Sequence, residues 1–179
     1  MKITKVETVR NREPIPLPEP WLPAWSAPGG THATSFGFSF HRVYTDEGIV
    51  GIGPDTGASP RMLLGVDPFT VGEFWDQHMS GRQPNRSGRR AAGLEIALWD
   101  IVGKAASAPI SKLLGRRRDR IPVYAATSRL LETEQHVRQV TELAALGYKA
   151  VKLRLHRQNP WDDVAVVEAV REAVGDELT

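Results

Sequence analysis

The sequence predicts an α+β region followed by alternating β/α units, and three observations lead there. A β-hairpin pattern runs from Ser35 to Gly53, the strongest helical stripe lies at 89–105, and from residue 121 short apolar runs alternate with amphipathic helices. With 179 residues, 41% of them hydrophobic and 25% charged, the chain suits one large domain, or a smaller domain and a fragment of another, and it can bury a core. It has no cysteine, which removes disulfides, thiolate zinc sites and cysteine nucleophiles together. Any metal must be held by oxygen or imidazole, and a reducing compartment is compatible.

The opening strand is read at Ile3, Val6 and Val9, ending near Arg10. Residues 14–30 then hold Pro14, Pro16, Pro18, Pro20, Pro23 and Pro28, with Gly29 and Gly30, too many breakers for a helix or a ladder. The segment reads as a long loop carrying Trp21, Leu22 and Trp25, and two neighbouring tryptophans favour a lid over a floppy linker. Phe36, Phe38 and Phe40 alternate on one face of the first hairpin strand; Asp46-Glu47-Gly48 turns; Ile49 to Gly53 returns. His41 is expected to be a packed or surface histidine, because no second metal-ligand type sits at a supporting interval.

A helix is predicted to open at Asp67-Pro68, with an N-cap and a proline at its first position. In the 89–105 helix, Leu94, Leu98, Ile101, Val102 and Ala105 line the buried stripe, while Ala91 and Ala92 permit close packing. Pro109 ends that helix, and a short turn from Ile110 to Leu114 stops at Gly115. Beyond it come a strand at Ile121–Ala125, a helix at Glu132–Leu146, a strand at Ala150–Leu155 and a helix at Trp161–Val174 with Val164, Val167, Ala169 and Val170 inside. Short connections argue for parallel strands with right-handed crossovers, but two units fall far short of a (β/α)8 barrel, which needs about 250 residues.

No apolar run follows the basic residues Lys2 and Lys5, and no stretch of about 18 apolar residues occurs, so neither an export signal nor a membrane span is expected. The expectation is a cytoplasmic protein without a membrane partner. Nucleic acid is not an expected partner either. The net charge is only +2, and the clusters Arg82, Arg86, Arg89, Arg90 and Arg116, Arg117, Arg118, Arg120 lack interleaved aromatics; solvated surface or interdomain ion pairs explain them.

Alternation along the 150–155 strand puts Lys152, Arg154 and His156 on one face and Val151, Leu153 and Leu155 on the other. A strand buried on both faces should be almost continuously apolar, so three ionisable groups in a row point to a polar cavity. An edge strand with that face in water is the alternative, making Lys152 and Arg154 ordinary solvated cations. A lysine desolvated beside a guanidinium gives up its proton more readily and can serve as a general base. Arginine stays protonated and is suited to holding a carboxylate or an enolate-like charge. The implied substrate is a small carboxylate.

The run Ala97-Leu98-Trp99-Asp100-Ile101-Val102-Gly103-Lys104-Ala105, with Pro109-Ile110, Leu113-Leu114-Gly115 and Ile121-Pro122-Val123-Tyr124-Ala125, resembles the signature of the mandelate racemase / muconate lactonizing enzyme family of the enolase superfamily. So do the hairpin Val43 to Gly53 and the stretch Gly147-Tyr148-Lys149-Ala150-Val151-Lys152-Leu153-Arg154, which is similar to a Lys-x-Lys motif on a second barrel strand. The resemblance implies an α+β capping domain over residues 1–120, followed at 121–179 by the first two β/α units of an incomplete (β/α)8 barrel. It implies removal of the proton α to a carboxylate with Mg²⁺ stabilising the enolate, then racemisation, cycloisomerisation or loss of water, most simply in an acid-sugar dehydratase. A homo-oligomer is expected as well.

By position, Lys152 matches the first lysine of the motif and Arg154 the second, which in many members is the base for one substrate face. Arginine there speaks against two-faced racemase chemistry. Pro54 also departs from the glutamate many relatives carry. Trp21 and Trp25 would close the lid, with His156 facing the site. The resemblance puts three carboxylate ligands for Mg²⁺ on later strands, so no metal ligand is assigned in this chain, and Asp162 and Asp163 are read as helix caps. The reading of another class is a catalytically incomplete fragment acting only as a folding or interaction module.

Overall fold

The computed structural model describes residues 1–24, 26, 30–79 and 86–179, the side chains of 86–89 excepted. It divides into two compact units built from interleaved segments: Met1–Ile15 with Gly37–Asp119, and Pro16–Phe36 with Arg120–Thr179. The proline-rich segment thus groups with the C-terminal third of the chain.

In the first unit, β1 (Ile3–Arg10), β4 (Ser39–Thr45) and β5 (Val50–Pro54) form an antiparallel sheet in the order β1-β4-β5. The β4–β5 hairpin turns as the sequence predicts. Thr45 and Ile49 close it through backbone and side-chain bonds, and Gly48 takes φ +81°, a value a side chain disfavours. Val43, paired with Val6 and Gly51, lies at the centre of the core with Ile3, Leu63, Phe74, Leu94, Leu98 and Ile101. The last three come from the long helix α2 (Arg86–Ala105), which lies on the sheet and buries Leu94, Leu98 and Ile101 of the predicted stripe, with Val102 and Ala105 partly buried.

Two boundaries in this region differ from the sequence reading. The phenylalanines do not share one buried strand face: Phe36 ends a separate strand, β3 (Ala33–Phe36), Phe36 and Phe38 are about half exposed at 47% and 49%, and Asn11 captures both backbone polar groups of Phe38. The helix α1 (Val71–His78) starts three residues after Pro68, because Asp67 accepts from the amides of Phe69 and Thr70 and so makes a turn of its own. A short helix α3 (Ile110–Leu113) follows α2 and stops before Gly115 at φ +77°.

In the second unit, β2 (Ile15–Trp21) pairs with β3. This corrects, over Ile15–Trp21, the reading of 14–30 as a loop incompatible with a ladder. The prolines stand at 16, 18 and 20, and alternate residues of a strand direct their amides to the same side. In a two-stranded sheet the missing amides can all fall on the unpaired edge. Downstream, β6 (Ala125–Ala126) and β7 (Val151–Lys152) pair in parallel, with α4 (Thr133–Ala145) between them and α5 (Pro160–Val174) after.

The order of strand, helix, strand, helix follows the sequence, with shorter strands. Ile121, Val123 and Tyr124 are exposed and precede β6 rather than forming it. The core of this unit holds Val140, Val166, Val170 and Leu178, with Val151, Leu153 and Leu155 packed against it. On α5 the sequence reading placed Val164 and Val167 inside. They are 42% and 46% exposed, and Val166 is buried instead. Valine and alanine occur on several faces of α5, so apolar content alone does not identify the packed one. Among the described residues, no helix is long and apolar enough to cross a membrane.

Candidate functional site

Only Val151–Lys152 of the predicted 150–155 strand is regular strand, but alternation of exposure continues through His156. Val151, Leu153 and Leu155 lean on the core of the second unit, whereas Lys152, Arg154 and His156 are exposed on the opposite side. The start of β7 is bonded on both flanks. The Ala125 amide donates to the Ala150 carbonyl, while the Val151 amide donates to the Thr179 carbonyl at 2.7 Å and the Thr179 amide to that of Lys149. Lys152 itself is exposed among the described residues.

Thr127, which follows β6 directly, is the residue that meets this strand most intimately. It is buried at 6% exposure; its amide donates to the Lys152 carbonyl at 3.0 Å, and its hydroxyl donates to the same carbonyl at 3.3 Å. The Arg154 amide in turn donates to Thr127 Oγ1 at 2.9 Å. The sequence reading passed over Thr127. A small hydroxyl residue just past a strand end was the only signal available.

The next residues hold the proline-rich segment. The Ala24 amide donates to the Ser128 carbonyl, the Leu130 amide to the Leu22 carbonyl, and Pro23 bridges Arg129 in antiparallel fashion. Arg129 adds a charged bond to the Glu19 carboxylate at 2.5 Å and a weaker one to the Glu19 carbonyl. A polar cleft of about 440 Å³ opens here, lined by Glu19, His32, Arg129, Glu132 and Gln135 among others. Lys152 and Arg154 do not line it. Trp21 closes β2 and is half-buried; Trp25 lies outside the described residues.

Farther along, Arg157 is fastened on two sides. Its guanidinium pairs with Asp163 at 3.0 Å and donates to the Leu131 carbonyl at 2.5 Å. Asp162 and Asp163 lie in the first turn of α5, but Asn159 is its cap, accepting from the Trp161 amide. His136 on α4 is fully buried, and neither ring nitrogen has a hydrogen-bond partner among the described residues. Burial first, and the Arg157 charge second, push its pKa below the ordinary histidine value. His41 is the packed histidine the sequence suggested: it is buried, with Nδ1 3.0 Å from the Thr8 hydroxyl and Nε2 3.5 Å from Asp55. Among the described residues no group of three or more His, Asp or Glu is placed to hold a metal ion, so these residues do not fit a Mg²⁺ site.

Residues 58–115 match the family model of the mandelate racemase / muconate lactonizing enzyme N-terminal domain. The L-talarate/galactarate dehydratase of Salmonella typhimurium is 31% identical over 148 residues, which is 79% of this chain and 36% of that protein. The crystal structure of an enolase superfamily member from Polaromonas sp. JS666 superposes with a TM-score of 0.79 at 30% identity, covering 99% of this chain and 50% of that one. A racemase from Streptomyces coelicolor A3(2) with bound magnesium gives a TM-score of 0.78 at 26% identity, covering 98% and 53%. The chain spans about half, or less, of the length of these relatives. Its N-terminal region has the capping-domain fold, and the chain belongs to the mandelate racemase / muconate lactonizing enzyme family of the enolase superfamily.

Proposed function

We propose that the protein carrying this chain is an enzyme that removes the proton α to a carboxylate, and that its reaction is the dehydration of an acid sugar. The observation that carries this reading is the alternation from Val151 to His156, in β7 and the extended segment after it, which exposes Lys152, Arg154 and His156 while Val151, Leu153 and Leu155 pack against a core. Lys152 is the base at the reacting carbon. Arg154 stays protonated and holds negative charge on the substrate, through the carboxylate or the developing enolate. Trp21 and Trp25 contribute to closure over the bound acid, and His156 faces the same space.

The relatives support an enolate chemistry, and the talarate/galactarate dehydratase supports loss of water as its outcome. The magnesium in the Streptomyces racemase supports use of the same ion, with ligands other than the described residues. Racemisation is the second reading, favoured by that neighbour and disfavoured by Arg154, a poor base on the second face. On this reading residues 1–120 act as the cap and 121–179 begin the barrel.

The test uses the product of the complete reading frame, incubated with acid sugars in deuterated water. Lys152→Ala should slow α-proton exchange at least about 100-fold, the usual reach of a positioned base. Exchange at the wild-type rate in Lys152→Ala would remove Lys152 from the role. Product lacking the elements of water identifies the dehydratase; an epimer of the substrate identifies the racemase.

A further inference from the structure

The last ladder bond between β6 and β7 is made by a side chain where a main chain would be expected. In a parallel pair, a residue bonded to the neighbouring strand donates its amide to one carbonyl there and accepts, through its own carbonyl, from the amide two residues further on. Thr127 satisfies the first half, donating to the Lys152 carbonyl. In the second half the Arg154 amide goes to Thr127 Oγ1. The hydroxyl proton points back to the Lys152 carbonyl, so one oxygen spans both peptide groups that flank Leu153.

This exchange has a geometric consequence. With the Arg154 amide taken by the Thr127 hydroxyl, the chain leaves the sheet here, and Ser128 to Leu130 turn to hold residues 22–24 of the proline-rich segment. Residues 152–154 stay tied to β6 although the regular pairing ends at Lys152. Both candidate functional side chains therefore emerge from backbone that a single buried hydroxyl fixes.

We propose that Thr127 is a positioning residue that sets the Cα–Cβ directions of Lys152 and Arg154. The inference rests on the reading of Lys152 as the base. It touches neither substrate nor proton and acts only through the two peptide groups. Displacing a base by about 1 Å can slow a reaction about 100-fold while leaving most of the substrate contacts in place, so the effect belongs in kcat more than in KM.

The experiment compares Thr127→Val, which keeps the branched shape and removes the hydroxyl, with Thr127→Ser, which keeps the hydroxyl and removes the methyl. Both are made in the product of the complete reading frame. Two readouts are taken: α-proton exchange kinetics, and hydrogen exchange of the Arg154 amide with that of Val140 in α4 as a reference. Thr127→Val should lower kcat about 10- to 100-fold with KM changed less than about threefold. The Arg154 amide should exchange at least about tenfold faster, because its acceptor is gone, while Val140 keeps its protection. Thr127→Ser should restore both toward wild type.

Unchanged protection of Arg154 in Thr127→Val overturns the proposal. So does a kcat within about threefold of wild type in a protein where Lys152→Ala abolishes exchange. If Thr127→Val does not fold, Thr127→Ala, which removes the hydroxyl without replacing it, takes its place under the same criteria. Proton exchange that survives Lys152→Ala sinks the reading of Lys152 instead, and the Arg154 amide then decides the backbone clasp by itself.

Discussion

Asp100 and Lys104 lie within the run that resembles the family signature, yet their work is structural. β5 is the outer strand of its sheet, and its outward polar groups need partners. Asp100 accepts from the Ile52 amide at 2.8 Å, and Lys104 donates to the Val50 carbonyl and to Asp100 at 2.6 and 2.7 Å. Asp100→Ala should lower the unfolding free energy in urea by about 1–2 kcal/mol, because an amide loses a charged acceptor and Lys104 loses a partner. His136 gives a pH-dependent counterpart. Its folded pKa lies below the ordinary value of 6.5, so the unfolded chain takes up the proton first. Stability contributed by the neutral ring is complete above that value and is lost as pH falls below it toward the folded pKa. Arg157 and Asp163 are the charges acting on the ring, and the aspartate only partly offsets burial and the guanidinium. A urea midpoint that declines below pH 6.5 in the wild type, with this component absent from His136→Leu, is the expected outcome.

At the scale of elements, the close packing of α2 on β5 depends on what is missing from side chains. Gly51 and Gly53 stand on the strand face toward the helix, opposite Val43 and His41. A Cβ on Gly53 would overlap the Gly93 carbonyl, and one on Gly51 the Ala97 carbonyl. Gly53→Ala should therefore destabilise the protein by about 2–3 kcal/mol, as overpacking at a backbone contact does, measured by chemical denaturation. The hairpin strand reads as Val-Gly-Ile-Gly, and from sequence those glycines say only that something approaches closely. The helix stripe was legible because Leu94, Leu98 and Ile101 repeat at one helical face. α5 was not, since Val164, Val166, Val167 and Val170 surround it and only tertiary contact selects two of them. The proline run was misread for a related reason: proline spacing decides whether the missing amides share an edge, and an edge exists only once β3 is found.

For the whole molecule, the interleaving of segments matters most. The chain passes from one unit to the other and back before completing either, so Glu19 and residues 22–24 are held by partners about a hundred positions later. Arg129 is the principal tie, reaching Glu19 across 110 residues of sequence. Arg129→Met should leave the far-ultraviolet spectrum intact while making residues 16–24 more open to limited proteolysis, since their anchorage would fall to a few backbone bonds. Cleavage there at the wild-type rate would show that the guanidinium is dispensable. Of the candidate site, the shared exposure of Lys152, Arg154 and His156 was legible from alternation, although only Lys152 lies in a strand. Thr127, Arg129 and Glu19 were not, because nothing local reports a bond made over tens of residues.

By itself the sequence determined the hairpin, the α2 stripe, the strand-helix-strand-helix order and the alternating exposure from Val151 to His156. Each follows from a period of two or of about 3.6 and from turn residues, which are properties of neighbouring positions. Only the tertiary structure decided that Ile15–Trp21 of the proline-rich segment is a strand, that residues 16–21 join the C-terminal unit, and that the Arg154 amide finds the Thr127 hydroxyl just past β6. Those depend on which donor meets which acceptor after the chain has closed on itself, and sequence-distant hydrogen bonds leave no local period from which to read them.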